Sequence, residues 1–162
     1  MRKRAGFTIV EILIFFGLTS IFLTVITDLF VSIFDVKRES EATSAVEQDG
    51  RFILARLIRD VSRATAVTTP ASLGASGSSL VLTIGGAANT YAVSGGNLNL
   101  SNSAGVSRVN SSETAISAIT FQRVGNALTN ETVRVNFTIE SVTKRNSGSE
   151  IRTFQTTVGR RQ

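Results

Sequence analysis

From residue 7 to residue 34 the chain is almost wholly apolar, and Glu11 and Asp28 are the only charges in those 28 residues. About 20 such residues, rising 1.5 Å each, cross a bilayer as a helix. The segment therefore predicts a membrane-spanning helix. Apolar density falls after Phe34, but the helical period persists. Ile53, Leu54, Leu57, Ile58 and Val61 fall at i, i+1, i+4, i+5 and i+8, one broad helical face. Ala42, Ala45 and Val46 extend a thinner stripe upstream, and Glu47–Arg51 and Arg56–Asp60 are i,i+4 pairs that support an exposed helix. Gly50 weakens the interior by about 1 kcal/mol and marks either a bend or a close packing point. The only proline is Pro70, so one helix is expected from about residue 7 to about residue 64, roughly 87 Å long at the helical rise. A coiled-coil rod is the competing arrangement. The stripe broadens toward its C-terminal end, which suits packing on a sheet.

The pattern changes at Thr65, where Ser, Thr, Gly and Asn replace the charged helix formers. Alternation over residues 79–84 predicts a strand closed by Gly85-Gly86. Residues 90–94, then Gly95-Gly96, then 97–100 give a strong hairpin signal. Further strands are expected at 116–124, 132–141 and 151–158, with Asn146-Ser147-Gly148-Ser149 as the turn between the last two. Five or six antiparallel strands over the helix face give an α+β fold: a long N-terminal helix, half membrane and half amphipathic, packed on a C-terminal antiparallel β-sheet head. The expected division is 1–6 as a basic leader, 7–34 as the membrane helix, 35–64 as its amphipathic continuation and 65–162 as the head.

Charge sharpens the orientation. The chain has 17 basic and 12 acidic residues, and Arg2, Lys3 and Arg4 lie together before the apolar run. They place the N-terminus on the cytoplasmic side and the head outside. After Ala64 there are eight basic residues and four Glu. They are dispersed and not interleaved with aromatics, so they read as a solvated surface, giving nucleic-acid binding only weak support. Arg160-Arg161 reads as a disordered basic tail. The Ser/Thr/Asn-rich loops read as ordinary solvated loops of an extracytoplasmic domain.

Candidate chemistry is sparse. Without cysteine there are no disulfides, thiolate metal sites or cysteine nucleophiles, and without histidine the commonest metal ligand and general base are missing. No Asp follows Asp60, which argues against an Asp-rich calcium loop in the head. Catalysis would rest on Glu, Lys, Ser or Tyr91 alone. A non-enzymatic protein with no catalytic residues, no metal and no cofactor is expected.

Glu11 is the informative residue. A carboxylate inside a membrane span costs roughly 2.5–3.5 kcal/mol on insertion scales, and such residues usually have a partner. A secretory signal peptide would end in a small-residue cleavage site, but Asp35-Val36-Lys37-Arg38-Glu39 follows the apolar run. A plain anchor accounts neither for Glu11 nor for Gly6 at the border of the basic leader.

Gly6-Phe7-Thr8-Ile9-Val10-Glu11, after its short basic leader, resembles the processing motif of type IV pilins and type II secretion pseudopilins. The resemblance implies that a prepilin peptidase cuts between Gly6 and Phe7, that the Phe7 amine is methylated and that the apolar helix is retained. It implies other pilin or pseudopilin subunits and an inner-membrane assembly platform as partners. The chain would stand first in the lipid of the cytoplasmic membrane as a single-pass protein, then in a periplasmic or cell-surface filament. An α-amine with a reference pKa of about 7.7–8.0 stays largely protonated, and methylation keeps its charge. Glu11, one helical turn from Phe7, would pair with that amine, in the family between subunits. Asp28 reads as an interfacial residue at the far membrane boundary. The proline that kinks many major pilins is absent, which favours a minor pilin or pseudopilin. Residues 51–60, 91–100 and 116–139 resemble, more loosely, the J-type minor pseudopilins and W-type minor pilins. The alternatives are a membrane-anchored binding protein that never polymerises and a pilin specialised for DNA uptake.

Overall fold

A computed structural model of the chain describes residues 6, 8–126, 130–145 and 147–160. The chain divides into two compact units, Met1–Glu39 and Ser40–Gln162. One helix, α1 (Ile9–Arg63), contributes to both. Its 55 residues contain no proline, and the expected continuous helix is present.

In the first unit the apolar side chains of α1 face outward. Phe15, Phe16 and Phe22 are 65%, 66% and 65% exposed. This stretch is long and apolar enough to cross a membrane and is compatible with a single anchor.

The second unit holds the rest of α1 and, among the described residues, nine strands: β1 (Ala66–Thr69), β2 (Ser76–Gly77), β3 (Ser79–Ile84), β4 (Ala87–Ser94), β5 (Asn97–Asn102), β6 (Gly105–Arg108), β7 (Thr114–Asn126), β8 (Asn130–Arg145) and β9 (Gly148–Gly159). They form two antiparallel sheets, ordered β1-β3-β4-β5-β6 and β2-β7-β8-β9. The head thus has more strands than the five or six expected, in two sheets. The strands not foreseen are β1, β2 and β6, two to four residues each, too short for an alternating pattern to register. The two glycine pairs do what hairpin geometry requires: Gly85 and Gly86 have φ of 59° and 81°, and Gly95 and Gly96 have 57° and 76°. Positive φ at both central residues gives turns whose twist matches that of the strands. Asn146, in the turn expected before β9, lies outside the described residues.

The amphipathic face of α1 packs on the head as its spacing predicts. Ala42, Val46, Ile53, Leu57 and Val61 are fully buried. Leu80, Leu82, Tyr91, Leu98 and Leu100 from one sheet and Phe121, Val133, Val135, Phe137 and Ile139 from the other complete the core. Inward-facing residues two apart on each strand converge on one helical stripe. Ile58 falls outside that core, 41% exposed.

Candidate functional site

The N-terminal motif sits at the start of α1. Arg2, Lys3, Arg4 and Phe7 lie outside the described residues. Gly6 is exposed, with nothing within 4 Å of the position its Cβ would take. Thr8 caps the helix: its carbonyl accepts from the Ile12 amide at 3.2 Å, and its Oγ1 accepts from the Glu11 amide at 3.3 Å. Glu11 is therefore the third residue of the helix, in the spacing of a capping box. Its carboxylate also lies where the helix dipole favours a negative charge. The Thr8-x-x-Glu11 signal was in the sequence and gives Glu11 a local role beside any pairing with an amine. Among the described residues Glu11 has no ion pair.

Asp28 is exposed and, among the described residues, also unpaired. It closes a shallow depression along α1 lined by Ser20, Leu23, Thr24 and Thr27. Thr24 and Thr27 donate their hydroxyls back to the carbonyls of Ser20 and Leu23, at 3.0 and 2.8 Å.

Two aspartates on the buried face of α1 fix the helix to the head, and sequence reasoning had assigned them no such task. Asp49 Oδ2 accepts from the Ser111 amide at 2.8 Å, from Ser111 Oγ at 2.7 Å and from Thr114 Oγ1. Asp60 Oδ2 accepts from the Tyr91 hydroxyl and from Arg56 Nε, the latter at 3.2 Å. The expected Arg56–Asp60 pair is thus present, but its acid faces inward, only 9% exposed. Burial and the hydrogen bond and charge of Asp60 push the Tyr91 phenol well above its usual range, with Arg56 opposing. The signal available beforehand was the position of both acids, 11 residues apart and so on one helical face, within the apolar stripe.

Gly50 is a close packing point. A Cβ there would lie 2.2 and 2.3 Å from Cζ and Cε2 of Phe154. That ring stacks on Phe137 with centroids 5.4 Å apart and planes at 19°. Only a glycine lets β9 come this near the helix.

The basic residues of the head are partly committed. Glu131 receives Arg123 Nη2 and stands 3.7 Å from Arg160 Nε. Arg123 Nη1 donates to the Ala71 carbonyl at 2.8 Å, and Arg160 donates to Thr65 and, through its amide, to the Glu131 carbonyl. Arg160 is therefore not part of a disordered tail, as its position near the end of the chain had led us to expect. It follows directly on β9 and is tied to Glu131 and Thr65; Arg161 lies outside the described residues. On the other side Glu47 joins Arg51 at 3.1 Å and Arg152.

Among the described residues no group of three or more potential metal ligands converges. Of the buried polar groups, Asp49 and Asp60 join the helix to the sheets, while Asn110 and Ser141 bond within the strands and their loops. No protein-family model, curated protein or solved structure matches the chain.

Proposed function

We propose that the chain is a minor pilin or pseudopilin, a structural subunit of a type IV pilus-like filament processed by prepilin peptidase. The observation that supports this best is the run from Gly6 to Glu11, at the capped start of a helix whose following turns are apolar and outward-facing. That helix needs lipid or other helices around it in every direction. In the membrane it is an anchor with its basic leader in the cytoplasm. Once cut after Gly6 and drawn out, it is the filament core. The exposed Gly6 peptide suits a protease that must take the chain in extended form.

In this reading Glu11 pairs with the methylated amine of Phe7 on a neighbouring subunit. That contact sets the register of an incoming subunit, because a carboxylate and an ammonium left apart in an apolar core are far costlier than the pair. The head carries partner specificity and acts in initiation or at the tip.

Mass measurement of the mature protein tests the processing. Methylated Phe7 at the N-terminus is expected; a chain retaining residues 1–6 would instead favour a permanently anchored binding protein. Glu11→Val and Glu11→Gln test assembly separately. Both should be cut normally yet be lost from sheared, sedimentable filaments. Because glutamine preserves the capping box, normal incorporation of Glu11→Gln would refute a role for the charge.

A further inference from the structure

Among the described residues the β2-β7-β8-β9 sheet leaves only two large apolar side chains exposed, Val142 at 57% and Ile151 at 59%. Both stand near the tip of the β8–β9 hairpin. A bulge sets them there: β8 advances four positions from Glu140 to Lys144 while β9 covers two, from Ile151 to Ser149. Bulges of this kind re-aim side chains. This one is pinned by the Val142 amide, which donates to the Glu113 carbonyl at 2.8 Å, and by Ser141 Oγ, which accepts from the Glu150 amide at 2.9 Å. The same end of the sheet lies at the start of the head, where Glu41, Ser44, Ala45, Gln48, Glu113 and Thr143 line one depression. From there β9 runs alongside α1 in the same direction: Arg152 reaches Glu47, Phe154 meets Gly50 and Arg160 holds Thr65. Back from the Phe154–Gly50 contact, the strand to Gly148 covers roughly 20 Å and the helix to Glu41 roughly 14 Å. The hairpin therefore extends to the Ser40 end of its unit.

We propose that, while α1 anchors the chain, the β8–β9 hairpin rests on the bilayer face from which α1 emerges, with Val142 and Ile151 seated at the boundary of headgroups and acyl chains. The proposal rests on α1 being a membrane anchor and on nothing else in the filament reading. Three observations select a lipid surface. The first is the tether. Glu41 follows Phe34, the last residue of the apolar segment, by seven positions, and such a stretch spans at most about 25 Å even fully extended. The chain itself thus holds the hairpin near the bilayer, at an effective concentration where a weak contact forms. The second is placement. The opposite end of the sheet, around Val124, Thr132 and Val158, exposes no large apolar side chain. The third is chemistry. The two aliphatics accompany the exposed Lys144, whose stem can lie along the boundary while its ammonium stays in water. Lipid charge is not the attraction, because Lys144, Arg145 and Arg152 stand against Glu41, Glu113, Glu140 and Glu150. Such a second contact would fix which way the head faces before assembly, and is weak enough to release when the chain is drawn out.

The chain contains no cysteine, so a single fluorophore can be placed by substitution. Full-length Ser147→Cys, Leu73→Cys and Ser20→Cys chains are labelled and put, one chain per disc, into phosphatidylcholine nanodiscs whose lipids are brominated just below the headgroup. Ser147 reports the hairpin tip, Leu73 an exposed loop elsewhere on the head and Ser20 the anchor. Quenching is expected at Ser147 and not at Leu73, and it should be lost when Val142→Asp and Ile151→Asp are added. Both residues are exposed, and unchanged Tyr91 emission would show that the head of that variant is folded. Adding anionic lipid or salt should leave the quenching as it was. Ser147 unquenched while Ser20 is quenched, by lipids brominated deeper in the chain, overturns the hairpin contact and leaves the anchor standing. So does quenching that survives both aspartates, that needs anionic lipid, or that appears only when several chains share a disc. Ser20 unquenched at every depth overturns the anchor and the contact together.

Discussion

Substituting alanine for Gly50 gives the sharpest test of how helix and head fit. On helix propensity alone the change should stabilise by about 1 kcal/mol. The structure predicts the opposite sign. The new methyl would lie 2.2, 2.3 and 2.9 Å from three carbons of the Phe154 ring, where carbon–carbon contacts prefer about 3.5–4.0 Å. The ring must therefore retreat by more than about 1 Å. Its way back is blocked by Phe137, stacked at 5.4 Å and itself only 1% exposed. Overpacking of this kind costs about 1–3 kcal/mol; with two ring atoms in collision the upper part of that range applies, leaving a net loss of about 1–2 kcal/mol after the propensity gain. In a Phe154→Ala background the methyl has room, and Gly50→Ala should become stabilising by about 1 kcal/mol. The assay is urea denaturation of the detergent-solubilised chain followed by tyrosine fluorescence, which reports the head alone because Tyr91 is the only tyrosine and there is no tryptophan. A raised midpoint for Gly50→Ala in the wild-type background would refute the reasoning, as would the same sign in both backgrounds.

Three further outcomes follow from the buried polar contacts. Asp49→Ala strips the acceptor from the Ser111 amide and the Ser111 and Thr114 hydroxyls, and should cost about 1–3 kcal/mol; faster hydrogen exchange at the Ser111 amide would localise the effect. Tyr91→Phe leaves the buried Asp60 carboxylate with Arg56 alone and should lower stability by about 1–3 kcal/mol in the same urea experiment. The raised folded-state pKa of Tyr91 also sets a pH dependence: its contribution is complete below the ordinary phenol value of about 10 and is lost as pH rises through the raised value. Unfolding midpoints should therefore fall above about pH 10, the fall should be smaller in Tyr91→Phe, and identical slopes in the two proteins would contradict the linkage.

The sequence by itself determined the parts that depend on neighbours along the chain. Absence of proline and an i, i+4, i+8 stripe fix a helix, so α1 was legible to within two residues at its start, and so were the apolar residues it buries, apart from Ile58, which is exposed. Glycine pairs between alternating runs fix hairpins, so β3, β4 and β5 were legible too, and Thr8-x-x-Glu11 was legible as a cap though it went unused. Tertiary structure decided everything that needs a partner across the chain. Asp49 is joined to residues 62 and 65 positions away, and Asp60 to one 31 positions away; their place in the apolar stripe hints that they face inward, but nothing in their own neighbourhood names the groups that meet them. Gly50 reads locally as a weak point and is in fact the place where Phe154 comes in. Arg160 reads as a tail and is held by Glu131 and Thr65. The split into two sheets was equally out of reach, because alternation tells which residues of a strand face inward but not which other strands share the face. Periodicity is a property of one element, whereas burial and pairing are properties of the packed whole.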